Sequence, residues 1–426
     1  MRIGLMGLGV IGSGVARTLL DKATAYTAQV GRPLLLARVV ERDPEKGPAA
    51  GIDSALLTSD ASDVLRDPNI QIVIELFGGE RPAYDYIKEA LSAGKYVVTA
   101  NKEVMAKHGS ELLALAQERG VDILYEASVG GGIPIIAPLK RDLLANEITA
   151  ISAIINGTTN YILTRMSRDG SDFDEALKQA QALGYAEADP TNDVEGLDAA
   201  YKLAILASLA FHTEIHPSDV YREGITRLGA RDFRYAQELG YDIKLLALAK
   251  REDASVQVRV HPVLLPEQEP LAKVDGVLNA VQVEGDLVGR VLFEGQGAGP
   301  LPTSSAVVAN VLDAARAIVQ GNRERALWRA QGAASLRPMS ELRTRYYIRM
   351  VVADQPGVLG QIARVLGDNQ ISIASVIQKE ADATAQTAEI VIMTHVALEA
   401  AVQKALKEVQ GLPVVREIGN FLRVEG

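Results

Sequence analysis

Two charged residues, Asp198 and Lys202, interrupt the otherwise largely apolar run LDAAYKLAILASLAF at residues 197–211. At 3.6 residues per turn they share one helical face with Ile205 and Leu209. On a solvated surface such an i,i+4 pair contributes only about 0.3–0.5 kcal/mol. On an apolar stripe the lysine is partly desolvated, and a desolvated lysine can exchange protons near neutral pH. Both readings, surface ion pair and catalytic helix, stay open on this pattern alone. The loop before it, residues 184–196, is rich in acids, among them Glu187. A second lysine, Lys102, follows Thr99-Ala100-Asn101, where it either opens a surface helix or sits at the carboxyl end of a strand facing a ligand. A third constellation is Gly7-Leu8-Gly9-Val10-Ile11-Gly12. Gly7 would allow a tight turn, Gly9 a close approach of backbone to a pyrophosphate, and Gly12 close packing of helix on strand, with the phosphates at the helix N-terminus.

These groups need a scaffold, and the apolar periodicity supplies one. Residues 2–6 read as a buried strand, followed by the glycine turn and a helix to about residue 29. A second strand over 34–41 ends in Glu41-Arg42-Asp43. There an acid would bind the ribose 2′-hydroxyl of NAD, and an arginine would pair with the 2′-phosphate of NADP. Strands at 70–76, 96–99 and 122–125 alternate with helices at about 81–93 and 108–119, a βαβ rhythm that predicts an α/β Rossmann-type parallel sheet over 1–137. From about residue 138 the rhythm changes. Segments at 147–155, 256–261, 280–284 and 288–294 predict an α+β domain with a mixed sheet over 138–299, and a helix at about 304–320 follows the glycine turn at 295–300.

Residues 322–345 carry six arginines, Gly332 and Pro338, the composition of a linker. Beyond it, strands at 346–353, 371–379, 387–394 and 414–422 and helices at 360–368 and 398–409 predict a ferredoxin-like βαββαβ module over 346–426.

Composition closes off other classes. The formal net charge is −10 and no Lys/Arg run is interleaved with aromatics, so nucleic acid is not an expected partner. There is no cysteine, which removes disulfides, thiol catalysis and zinc–thiolate sites and fits a cytoplasmic protein. The five histidines lack ligand spacing, the one tryptophan is Trp328, and no apolar run reaches the roughly 18 residues of a membrane span.

The order and content of residues 7–12, 75–79, 99–102, 126–134, 156–161 and 184–202 resemble homoserine dehydrogenase, and the tail from Tyr346 is similar to an ACT domain through the turn Asp354-Gln355-Pro356-Gly357-Val358-Leu359. The resemblance implies NAD(P)-dependent interconversion of L-homoserine and L-aspartate 4-semialdehyde. It implies Lys202 as proton donor and acceptor, Lys102 as the second active-site lysine, and Glu187 and Asp198 as holders of the amino-acid end. Gly7, Gly9, Gly12, Val10, Ile11, Arg42, Lys102 and Gly299 would contact the cofactor, and the helix over 300–321 would complete its domain. Glu126 and the carbonyls of Val129, Gly131 and Ile133 would hold a monovalent cation, expected to be sodium, since a carboxylate with several carbonyls suits a hard ion. Asp354, Gly357, Val358 and Leu359 would bind an effector, expected to be L-threonine. A homodimer or homotetramer is expected. Gln296 departs from the family pattern, in which a proline is common there. The competing classes are a non-catalytic amino-acid sensor and another ACT-linked dehydrogenase. The latter would need a catalytic histidine, and no histidine here sits in a comparable motif.

Overall fold

Ile3, Leu5, Met6, Ile72, Val73, Ile74, Val97 and Val98 are all removed from solvent, which is why short continuous apolar runs form strands buried on both faces. The structure is a computed structural model that describes residues 1–321, 335–382 and 384–426. Trp328 and the first part of the linker expected over 322–345 lie outside the described residues. The chain divides into two compact units, residues 1–151, 200–220 and 279–334 in one and 152–199, 221–278 and 335–426 in the other.

The first unit holds a six-stranded parallel sheet of β1 (Arg2–Met6), β2 (Leu35–Val40), β3 (Leu57–Thr58), β4 (Ile70–Glu75), β5 (Tyr96–Thr99) and β6 (Ile123–Leu124), in the order β3-β2-β1-β4-β5-β6. The chain runs outward from β1 to β3, then returns to β4 on the other side of β1. That reversal opens a crevice at the carboxyl ends of β1 and β4, where ligands of such sheets bind. The helix Pro300–Gln320 packs against the helix Val10–Asp21. Strands Leu278–Gly285 and Gly289–Gln296 lie side by side.

Three boundaries differ from the sequence expectation. The first helix is two, Val10–Asp21 and Ala23–Val30, because Lys22 leaves helical geometry at φ −106°, ψ 16°. The helix expected from 108 begins at Lys102, and that expected by periodicity from about 304 begins at Pro300, the start that the family resemblance implies.

In the second unit the strands run in the order Tyr241–Glu252, Ser255–Pro266, Val415–Val424, Arg343–Ala353, Thr387–Thr394, Ile373–Asp382. The sheet is mixed: Ser255–Pro266 is antiparallel to Tyr241–Glu252 along its full length, yet parallel to Val415–Val424 at Val263↔Arg423 and Leu264↔Val424. The last four strands, with helices Val358–Asp368 and Glu399–Gln410, form the expected βαββαβ module. Ile348, Ile390 and Ile392 meet Ile362, Leu366, Val402 and Val409 in its core.

Candidate active site

The glycine turn after β1 is shaped by contacts that exclude side chains. Gly7 has φ +97°, and a Cβ there would lie 3.0 Å from the Leu76 carbonyl oxygen. A Cβ on Gly12 would lie 2.0 Å from the Gly7 carbonyl oxygen, so the helix can sit on the turn only as glycine. Gly9 caps the helix Val10–Asp21, and a Cβ there would meet nothing within 4 Å. Val10 is 70% exposed, so unpaired N–H groups of the first helical turn face open space, as an anion site requires. The late glycine turn comes to the same place. Gly299, at φ +118°, caps Pro300–Gln320, whose Ser304 hydroxyl donates to the Ile11 carbonyl at 3.4 Å. Gly7, Gly9, Val10, Ile11, Gly12 and Gly299 therefore gather at one end of the parallel sheet.

Glu41 is held by its own surroundings. Its Oε2 accepts the Leu8 N–H at 3.0 Å, and its Oε1 accepts those of Arg42 at 3.0 Å and Asp43 at 3.1 Å. Burial would raise its pKa, but these N–H groups and the nearby Lys46 ammonium outweigh burial and hold the carboxyl below its usual range. Arg42 is exposed and has no side-chain partner among the described residues.

Lys102 is placed by Asn101. The Asn101 Oδ1 accepts the Val104 N–H at 3.0 Å and starts the helix Lys102–Arg119, while its Nδ2 donates to the Gly79 carbonyl at 2.8 Å. The Asn101 N–H reaches the Thr99 hydroxyl at 2.9 Å, which itself donates to Glu75 at 2.6 Å. Glu75 is fully buried at the end of β4, and burial pushes its carboxyl up to about 7 against the opposing Thr99 and Phe77 hydrogen bonds. In the sequence, residues 75–79 and 99–102 stand out as motifs, but nothing there gives Glu75, Thr99 or Asn101 a task. The helices bearing the two lysines are neighbours. Met105, Gly109 and Leu113 of one and Ile205 and Leu209 of the other line a small cavity of about 40 Å³. The Lys107 ammonium lies 5.7 Å from the Tyr201 ring centre. Both Lys102 and Lys202 are half-buried.

The loop from Glu126 to Ile133 is folded against the late glycine turn. Gly131 has φ +51°, and a Cβ on it would lie 2.4 Å from the Gly297 carbonyl oxygen; the Gly132 N–H donates to Gln296 at 3.0 Å. The Glu126 carboxylate accepts three N–H groups, from Ile135 at 2.6 Å, Ile136 at 2.8 Å and Ala137 at 2.8 Å. The Gly130 carbonyl is taken by the Ile133 N–H at 2.8 Å. The carbonyls of Val129, Gly131 and Ile133 accept no hydrogen bond among the described residues, although all three residues are buried. The Ser128 hydroxyl in the same loop is also buried without a partner. Buried carbonyls are rarely left so.

In the second unit the acids gather on an asparagine. Asn156 Nδ2 donates to Asp193 Oδ1 at 2.7 Å and to Asp198 Oδ2 at 2.8 Å. Its Oδ1 accepts the Thr159 N–H at 2.8 Å and so caps the helix Gly157–Asp169. Asn156 and Asp198 are 5% and 3% exposed, a depth at which carboxylates need fixed donors. Asp193 and Asn156 were not singled out from sequence, although Asn-Gly-Thr-Thr is a capping signature and Asp193 stands in the acidic loop. Glu187 is exposed on that loop. In the C-terminal module, Gly357 at φ +88° caps Val358–Asp368; Asp354 and Leu359 are exposed and Val358 is buried.

Residues 134–312 match the family described as homoserine dehydrogenase, residues 7–126 the homoserine dehydrogenase NAD binding domain, and residues 346–414 the ACT domain. The chain is 43% identical over 431 residues to a homoserine dehydrogenase of Neisseria gonorrhoeae, covering 100% of this chain and 98% of that one. It is 40% identical over 426 residues to that of Bacillus subtilis, with coverage of 100% and 98%. The crystal structure of a homoserine dehydrogenase from Thiobacillus denitrificans superposes with a TM-score of 0.93 at 43% identity, covering 100% and 98% of the two chains. A hyperthermophilic archaeal homoserine dehydrogenase in complex with NADPH gives 0.63 at 28% identity, covering 74% of this chain and 97% of that one.

Proposed function

Since the chain belongs to the homoserine dehydrogenase family, as an NAD(P)-dependent oxidoreductase with a C-terminal ACT domain, we propose that it interconverts L-homoserine and L-aspartate 4-semialdehyde on the way to threonine, methionine and isoleucine. The observation that carries the site assignment is the convergence, at the crevice end of the parallel sheet, of the glycine turns with the helix that Lys102 opens. The open face at Gly9 and the uncapped helix start at Val10 fit a dinucleotide pyrophosphate, with Gly7, Ile11, Gly12 and Gly299 shaping the cradle. When bound, the nicotinamide would supply the hydride acceptor for C4 and, in the reverse direction, the hydride donor. In oxidation the C4–H bond breaks with its electron pair, Lys202 in its neutral form accepts the hydroxyl proton, and the C4–O bond becomes a carbonyl. Lys102 supports the charge that develops on that oxygen. Glu187 and Asp198 hold the substrate ammonium. The test is NAD(P)H formation from L-homoserine; no turnover with either cofactor would sink this reading.

Asn156 gives Asp198 its position in this scheme. Hydrogen bonds to charged groups are each worth about 1.5–3 kcal/mol, so Asn156→Ala is expected to lower kcat/KM for L-homoserine roughly 10- to 100-fold, mostly through KM. Cofactor affinity, measured by fluorescence titration, should stay within about twofold of wild type, because the glycine cradle is intact.

The cofactor proposed is NADP in preference to NAD. Glu41 spends its oxygens on the Leu8, Arg42 and Asp43 N–H groups, whereas the exposed Arg42 guanidinium is open to a 2′-phosphate. The archaeal relative binds NADPH. Arg42→Ala is expected to raise KM for NADP by about tenfold and leave that for NAD nearly unchanged. Equal losses with both cofactors would contradict the assignment.

The open carbonyls of Val129, Gly131 and Ile133, with one acceptor position left on Glu126, fit a monovalent cation such as sodium. Its role would be to brace the loop. Exchanging sodium for tetramethylammonium should lower the thermal midpoint, and sodium should restore it saturably, with about 2.7 kcal/mol recovered at one hundred times Kd. We further propose L-threonine as an effector acting through the ACT domain, its turn of Asp354, Gly357, Val358 and Leu359 offering one surface for it. The assembly proposed is a homodimer or homotetramer, since ACT modules pair.

A further inference from the structure

We propose that the second unit contains an amino-acid binding site apart from the Asp354–Leu359 turn, in a cleft between the helix Glu399–Gln410 and the segment from Tyr221 to Leu228. The cleft measures about 980 Å³, ample for a small zwitterion. One wall is a single face of the helix, where Gln403, Leu406, Lys407 and Gln410 recur at helical spacing. Ile418, Phe421, Leu228 and Pro262 add apolar surface.

The charges on the walls point to the ligand class. Arg227 and Arg222 on one side and Lys407 on the other are exposed, and none has an ion-pair partner among the described residues. Glu195 is half-buried on the same cleft, and its carboxylate receives only the Thr226 hydroxyl at 3.2 Å. The neighbouring acids Glu223 and Glu399 are already committed to Arg423. What remains available is a set of cations for a carboxylate, one acid for an ammonium, and an apolar surface for a short side chain, which is the chemistry of an α-amino acid.

The cleft is joined to the substrate loop by direct contacts. The Ile225 N–H donates to the Val194 carbonyl at 2.9 Å, and a Cβ on Gly224 would lie 2.5 Å from that same oxygen. Val194 follows Asp193, which shares the Asn156 side chain with Asp198. A ligand drawing Arg227 and Glu195 together therefore shifts the segment that fixes the substrate acids, and its expected kinetic signature is a raised KM for L-homoserine at little changed kcat.

The inference rests on the reading of the chain as an amino-acid-regulated enzyme, and calorimetry keeps the two apart because it reads binding whether or not turnover occurs. Full-length protein is titrated with L-threonine, L-methionine, L-isoleucine and L-lysine at millimolar concentration. The variants are Arg227→Ala with Lys407→Ala, and Asp354→Ala at the turn. The expected result is binding of at least one of the four, weakened roughly tenfold or more by Arg227→Ala with Lys407→Ala and retained in Asp354→Ala. Heat with none of them, or an isotherm that responds only to Asp354→Ala, overturns the site. Circular dichroism of the double variant, whose two side chains are exposed, checks that it is folded.

Discussion

Lys202→Ala is expected to lower kcat for L-homoserine oxidation by at least about 100-fold while the dinucleotide still binds, because loss of a positioned general acid/base removes 10²–10⁴ in rate. Lys202 is half-buried, and its helix lies beside the one opened by Lys102, the two contributing Ile205, Leu209, Met105 and Leu113 to one cavity. If Lys202 takes the hydroxyl proton, the oxidative rate rises with pH as the neutral amine accumulates, and that rise should vanish in the variant. Lys102→Ala makes the necessary comparison. As the group that supports charge on the oxygen it should reduce kcat without abolishing the pH dependence. The reverse pattern, a pH-independent Lys102 variant and a pH-dependent Lys202 variant, would exchange the two roles.

The parts of this site that were legible in the sequence are those whose reason is local. Gly12 is demanded by the Gly7 carbonyl five residues earlier, and the strands β1, β4 and β5 are apolar on both faces. The acidic loop and Lys202 stood out because charge is scarce in their helix. Features that depend on distant partners were not legible. Lys102 opens its helix because Asn101 caps it while holding the Gly79 carbonyl, so the boundary comes from a loop 22 residues earlier in the chain. The strand Tyr241–Glu252 has no strand signal in the sequence: its core, KLLALAKRE, is made of good helix formers, and only pairing along the whole of Ser255–Pro266 makes it a strand. Asn156 drew notice as part of a motif, but its use as a common donor to two carboxylates depends on acids 37 and 42 residues away.

Arg423 extends the same point to stability, and its removal should have the largest effect on the fold. The side chain is fully buried and doubly forked: it donates to Glu399 at 2.9 and 2.6 Å and to Glu223 at 2.9 and 3.0 Å, across 24 and 200 residues of chain. Burial alone would lower its pKa, but the Glu399 and Glu223 hydrogen bonds overcome this and hold the guanidinium more firmly protonated than usual. Arg423→Met leaves the Glu399 side chain, 3% exposed, without its cation, and such a change costs about 3–5 kcal/mol. Urea denaturation should show the loss, and Glu223→Gln with Glu399→Gln in the same background should recover most of it, since no unpaired charge then remains. An unchanged midpoint in Arg423→Met would mean that water compensates the acids. Two residues on, Glu425 adds a pH signature. Burial raises its pKa, but Arg259 and Lys250 outweigh burial and the net shift is downward. A carboxyl whose folded pKa is depressed contributes stability above its ordinary value of 4.5 and loses it as pH falls through the lower folded value. The acid arm of the stability curve should therefore steepen below about pH 4.5 in the wild type and flatten in Glu425→Gln. Since Arg423 and Glu425 flank Val424, which pairs with Leu264, both changes loosen the one place where the C-terminal strand is parallel to Ser255–Pro266.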